Sequence, residues 1–219
     1  MGEKKLYFKR FTGRQLFLIL MPVLLILTTY FAFQLFTAAF GLKTGYLAGF
    51  LFYWIIWGLV VPLIVSGFKG VRSFFGRPQW KKHRWIDILL LAVPCLLAIF
   101  FGPFLQRAPK LTWLMWIVSF AMAAVNAVTE EIIWRGLYIR HFKDPLWGCI
   151  YPLLGFALWH ISPNSVNPSS FGVPLFILFS GILGVFWGIV AYRTKSTRWT
   201  LISHIIVDFS GLIGLFYLS

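Results

Sequence analysis

Charge is what this sequence has least of. Only 12% of its 219 residues are Asp, Glu, Lys or Arg, about half of the roughly one quarter that a soluble domain carries. With 59% hydrophobic residues, 24 Phe and 11 Trp, too little polar surface remains to cover a globule in water. A soluble fold is excluded, and the bilayer becomes the solvent. Acid is scarcer still, with six Asp and Glu against 20 Lys and Arg, a net charge of +14. Cysteine is limited to Cys95 and Cys149, both in apolar stretches, which excludes a cysteine-rich metal site. No internal repeat and no low-complexity linker interrupts the chain.

What is present is a succession of long apolar segments. A bilayer crossing needs about 20 apolar residues, and candidate spans fall at 15–40, 45–66, 86–106, 111–139, 146–162, 171–192 and 199–217. They predict an all-α, polytopic transmembrane helical bundle of about seven spans, within a range of six to eight. The whole of 1–219 reads as a single integral membrane domain. Lipid cannot hydrogen-bond an isolated strand, so each span is expected to be a helix. The third should kink at Pro94 and Pro103, and the fifth is short, bracketed by Pro152 and Pro163. Small residues at Gly45/Gly49 and Gly184/Gly188 suit close helix contacts. The polar but uncharged loop 161–170 is expected to be an outer loop that moves.

The basic residues sit in short loops, so the positive-inside effect accounts for the net charge and nucleic acid is not an expected partner. With the N-terminus in the cytoplasm, alternating spans place 17 Lys and Arg inside and only Lys43, Arg107 and Lys110 outside. The C-terminus then lies outside. The first apolar run is longer than a signal-peptide core and lacks a small-x-small cleavage pattern, so it reads as a retained span.

Three of the six acidic residues, Glu130, Glu131 and Asp208, fall inside apolar segments, as do His160 and His204. Each ionisable group in a span costs a few kcal/mol even on lenient scales of about 2.5–3.5 kcal/mol. Five of them on three helices are therefore expected to converge on one wet site. Glu131 and Arg135 are spaced i, i+4 and can pair. Asn126 and Glu130 share another face of that helix, about 100° around. One carboxylate is thus neutralised while the other stays free for chemistry. His204 and Asp208 share a face, and His160 lies one turn after Phe156. Such a set can polarise water as a general base and hold an oxyanion. It can equally ligate one divalent metal such as zinc, through Glu130, His160 and His204. Spacing does not choose between these. Counting from span ends, the site is expected to open towards the cytoplasmic half.

Glu130-Glu131-Ile-Ile-Trp-Arg135 resembles the Glu-Glu-x-x-x-Arg motif of the CAAX prenyl protease and bacteriocin-processing family. Phe156-Ala-Leu-Trp-His160 resembles its Phe-x-x-x-His motif, and His204-Ile-Ile-Val-Asp208 its His-x-x-x-Asn/Asp motif. The three occur in family order over residues 110–215, the expected motif-bearing core. The resemblance implies a multi-span membrane endopeptidase, in a prokaryotic cytoplasmic membrane, acting on a membrane-associated protein or peptide. It implies Glu130 as the water-activating base, supported by Glu131 and Arg135. His160 would hold the same water, and His204 and Asp208 would stabilise the oxyanion. The family commonly has Asn where Asp208 stands, and an ionised carboxylate cannot donate a hydrogen bond. Both metal-dependent and metal-free glutamate mechanisms are attributed to the family, so the cofactor stays open: one divalent metal or none.

Other membrane proteases are excluded by missing motifs: no His-Glu-x-x-His, no Gly-x-Ser with a downstream helical His, no Gly-x-Gly-Asp. The alternative outside catalysis is a membrane immunity or regulatory protein that uses the same fold to bind a partner. A proton-coupled transporter is a third reading, weakened by the absence of a repeat.

Overall fold

The computed structural model describes residues 11–212, and every regular element among them is helical. Helix α1 (Gly13–Phe40) starts at a capping box, in which Thr12 and Gln15 each accept from the other's backbone N–H. Helix α2 (Leu42–Phe52) continues through a π-helical stretch, Tyr53–Val60, into α3 (Val61–Phe74). Next come α4 (Arg84–Phe101), the short α5 (Phe104–Arg107) and α6 (Trp113–Glu131). A π turn, Ile132–Gly136, joins α6 to α7 (Leu137–His141), and another, Leu146–Ile150, opens α8 (Tyr151–Trp159). Then come the single turn α9 (Ile161–Asn164), α10 (Val173–Thr194) and α11 (Arg198–Leu212).

Five helical runs are long and apolar enough to cross a membrane: Gly13–Phe40, Leu42–Phe74, Arg84–Phe101, Trp113–His141 and Val173–Thr194. The shorter α8 and α11 make up the remaining two of the about seven expected spans. The second run extends well past the predicted 45–66. It is broken at Gly67, whose φ of 66° lies in the left-handed region that glycine alone adopts freely. The fifth span differs most: from Leu146 to Trp159 it is 14 residues, about 21 Å at 1.5 Å per residue. It ends inside the bundle rather than at its far surface.

The glycines read as contact points do pack closely. A Cβ on Gly45 would strike the Phe36–Thr37 backbone, and one on Gly49 the Phe33 ring, so α1 and α2 lie against each other. Gly184 faces Phe156, and Gly188 faces Cys149 and Leu153, which seats α10 on α8. The loop expected to move is tied down instead. Gln34 donates to Ser165, Thr29 to Ser162, and Asn164 accepts from the Ser169 N–H. These bonds replace water for a polar segment packed against α1.

At one end of the bundle the loops are stitched together. Gln15 donates to the His141 carbonyl, Arg140 to Ser73, and Tyr192 to the Lys143 carbonyl. Gln79 N–H reaches Thr194, Thr197 N–H reaches Phe74, and Arg193 pairs with the buried Asp87 at 2.7 Å. The residues that begin α1, α4, α8 and α11 and those that end α3, α7 and α10 therefore share this end.

Candidate active site

Helices α6 and α11 run antiparallel and side by side, which brings their ionisable residues into rungs. Thr200 Oγ1 donates to Glu131 Oε2 at 2.5 Å, and His204 Nδ1 meets Glu131 Oε1 at 3.0 Å. His204 Nε2 lies 3.1 Å from Glu130 Oε2 and 3.4 Å from Asp208 Oδ1. Asp208 Oδ2 accepts from the Asn126 side-chain amide at 2.8 Å. Both i, i+4 pairs read from the sequence are formed, with Arg135 3.2 Å from Glu131. Arg135 sits in the π turn that follows Glu131, and such bulges are frequent at functional sites.

The burial is deep. Glu130, Glu131, Arg135 and His204 are each at most 3% exposed, so charges here act on one another in a low dielectric. Arg135 lies 4.2 Å above the Phe156 ring and 5.4 Å from Trp187, an aromatic seat for its cation. Trp187 stacks on His204 at 4.0 Å and 21° and donates its indole N–H to Ser203.

His160 joins from α8. Its ring stands edge-on to Phe156 at 5.0 Å, and Phe176 lies 5.5 Å away. Phe156 is flanked by both imidazoles, with the His204 ring 6.2 Å from its own. His160 Nδ1 meets the Phe156 carbonyl at 2.8 Å and so must be the protonated nitrogen, which leaves Nε2 as a lone-pair acceptor. Asn164 donates to the His160 carbonyl and closes the helix end.

Glu130, Glu131, His204 and Asp208 thus form one linked cluster with Asn126 and Arg135, and His160 joins it through Phe156. Others had no motif to announce them. Thr200 stands one turn before His204 on the same face, a spacing that was available in the sequence. Trp54 donates to Asn126 Oδ1 at 2.9 Å from a stretch that reads only as a span.

The grouping for a metal differs from the one expected. Ligand atoms of Glu130, His204 and Asp208 lie within 4.8 Å of one another, and His160 is outside that group. Both ring nitrogens of His204 face carboxylate oxygens. With Nδ1–H donated to Glu131, Nε2 faces Glu130 and Asp208, as a second N–H donor when the ring is charged or as a lone pair towards a shared ion when it is neutral.

Burial is graded along the site. Along one face of α11, Thr200 is 0% exposed, His204 1%, the Asp208 side chain 16%, and Gly211 is open. Between the site and the stitched end lie Leu137, Tyr138, Trp187, Ala191 and Thr197, none more than 1% exposed.

Helices of this length around a buried carboxylate–imidazole cluster define an integral membrane protein with an acid–base site inside the bundle. Residues 110–210 match the model of one protein family, described as type II CAAX prenyl endopeptidase Rce1-like. That family is one of CAAX-type intramembrane proteases. No curated protein and no solved structure matches the chain.

Proposed function

We propose that this chain is an intramembrane endopeptidase that hydrolyses a membrane-associated protein or peptide with water activated by Glu130. The observation that carries the reading is Glu130 itself. One oxygen faces His204, while Oε1 is buried without a hydrogen-bond partner, a costly condition unless something is meant to bind there. In this reading the attacking water bridges Oε1 and Nε2 of His160.

The step then balances simply. Glu130 takes a proton from the water as its oxygen bonds to the scissile carbonyl carbon, and the carbonyl pair moves to oxygen. Once protonated, Glu130 releases its hold on the His204 Nε2–H, which turns to the oxyanion along with the second amide hydrogen of Asn126. Glu130 then returns the proton to the leaving nitrogen as the C–N bond breaks. Asp208 takes no direct part. It holds Asn126 and His204 in place, which reconciles a carboxylate with the position where the family commonly has Asn.

No step drawn here uses a metal. Cleavage is therefore expected to persist in chelator, and added zinc to leave the thermal unfolding midpoint unchanged. A midpoint raised by zinc, with activity lost in chelator, would show a metal enzyme. Cleavage of a membrane-peptide panel in H₂¹⁸O tests the activity itself. One ¹⁸O per cut in the new carboxylate is the expected product, and no cut on any peptide favours a partner-binding protein.

Trp54 positions the site from outside the motifs. Trp54→Phe keeps the ring packed 5.5 Å from Phe50 but removes the donor that fixes the Asn126 amide. One such bond contributes about 0.5–1.5 kcal/mol, so kcat is expected to fall up to about tenfold with KM unchanged. A change in KM alone would place Trp54 in substrate binding.

A further inference from the structure

We propose that the stitched end of the bundle carries a binding site for an anionic phospholipid of the adjoining leaflet. Lys81 and Lys195 hold its phosphate, and its chains lie along the outer faces of α4 and α11.

The site is assembled from two segments far apart in sequence. The loop that follows α3 is fastened to the turn between α10 and α11. Ser196 Oγ donates to the Gly76 carbonyl at 2.6 Å, the Gln79 N–H to the Thr194 carbonyl at 2.8 Å, and the Thr197 N–H to the Phe74 carbonyl at 2.9 Å. Arg77, Lys81, Lys82, Arg84, Lys195 and Arg198 therefore belong to one surface, and all six are exposed. Among the described residues none of the six pairs with a carboxylate. Asp87, the acid nearest to them in sequence, is fully buried and taken by Arg193 at 2.7 Å.

Like charges on a free loop would drift apart, but Lys195 is held. Its φ of 54° is uncommon for a residue with a Cβ, and its Nζ lies 3.6 Å over the Tyr192 ring. The Tyr192 hydroxyl is in turn bonded to the Lys143 carbonyl. Partial desolvation first, and then the Lys81 charge, hold the Lys195 ammonium below the ordinary lysine pKa. An anion between the two ammonium groups relieves the repulsion.

The surroundings select a lipid over a free anion. Trp80, Trp85 and Trp199 are exposed beside these cations, as side chains at headgroup level are. One turn further along α4 come the exposed Ile88 and Leu89, and along α11 the exposed Ile202. These two helices pack on each other, so cations, indoles and aliphatic side chains follow one another in the order of a phospholipid. Basic surfaces between membrane helices suit such headgroups. Because α11 also carries Thr200 and His204, a lipid that bridges the loop and the turn braces the helix of the active-site cluster.

The test needs no cleavage assay. Full-length protein in uncharged detergent is titrated with phosphatidylglycerol or with phosphatidylcholine of the same chains. Bound lipid is counted by native mass spectrometry, and the thermal midpoint is followed. Phosphatidylglycerol is expected to stay bound and raise the midpoint, and phosphatidylcholine to do neither; equal effects of the two overturn the proposal. Lys81→Gln with Lys195→Gln should weaken phosphatidylglycerol binding about 30-fold, the worth of two lysines near an anionic surface. Lys81→Arg with Lys195→Arg should retain it. Lys43→Gln with Lys110→Gln, which removes as much charge at the starts of α2 and α6, should leave it unchanged. Equal loss in both Gln pairs, or loss in neither, would show diffuse attraction and overturn the site. The lipid-free midpoint of each variant reports that it is folded. Glycerol phosphate, the same phosphate without chains, should not move the wild-type midpoint. A shift equal to that of the lipid would mark a site for a soluble anion and overturn the lipid assignment.

Discussion

Glu130→Gln is expected to abolish peptide cleavage while leaving the bundle folded. The amide matches the carboxylate in shape, and its oxygen still accepts from His204 Nε2, which lies 3.1 Å from Glu130 Oε2. What disappears is the ability to take a proton from water. A positioned general base contributes about 10²–10⁴-fold, and loss of that order in kcat/KM is the expected reading on detergent-purified protein. Folding is checked by the thermal midpoint, which should stay close to wild type because no buried charge loses its partner. Equal cleavage by both proteins would mean that Glu130 is not the base. Glu131 offers no substitute. Its two oxygens are committed to Arg135, His204 and Thr200.

Arg135→Met should act on stability first. Glu131 would keep its charge at 0% exposure without a nearby permanent cation. Breaking a buried pair by removing one partner costs about 3–5 kcal/mol, a large share of the stability of a marginal fold. Loss of the guanidinium from the Phe156 and Trp187 faces adds to it. The measurement is the unfolding midpoint of the solubilised protein. The double variant Glu131→Gln with Arg135→Met is the informative companion. It removes the orphaned charge yet keeps partners for Thr200 and His204, so it should regain most of the stability without regaining activity. A single variant as stable as wild type would show that the pair does not hold the site together.

Much of this architecture is legible in the sequence, for one physical reason. Inside lipid an ionisable side chain has few places to go, so Glu130, Glu131, His160, His204 and Asp208 announce a meeting point by their mere presence in apolar runs. Helical periodicity then fixes the near neighbours, and the Glu131–Arg135 and His204–Asp208 pairs form as the spacing predicts. What periodicity cannot convey is how deep a helix ends. The segment around 146–162 is apolar throughout, so nothing in its composition marks that α8 stops at Trp159. The π turns at 53–60 and 132–136 are likewise silent, since a register change of one residue leaves hydrophobicity unaltered. Trp54 escaped because a tryptophan facing lipid and one donating to a buried amide look alike in a span.

The early end of α8 ties two choices into one. A helix that stops within the membrane leaves carbonyls that no water can satisfy. The His160 ring answers at Phe156 and Asn164 answers at His160. The atom that closes the helix is also the one that sets which nitrogen of His160 is free. An inserted or deleted residue in α8 would therefore uncap the backbone and swing the imidazole about 100° away together. The spacing between Phe156 and His160 is thus a constraint of helix termination as much as of chemistry.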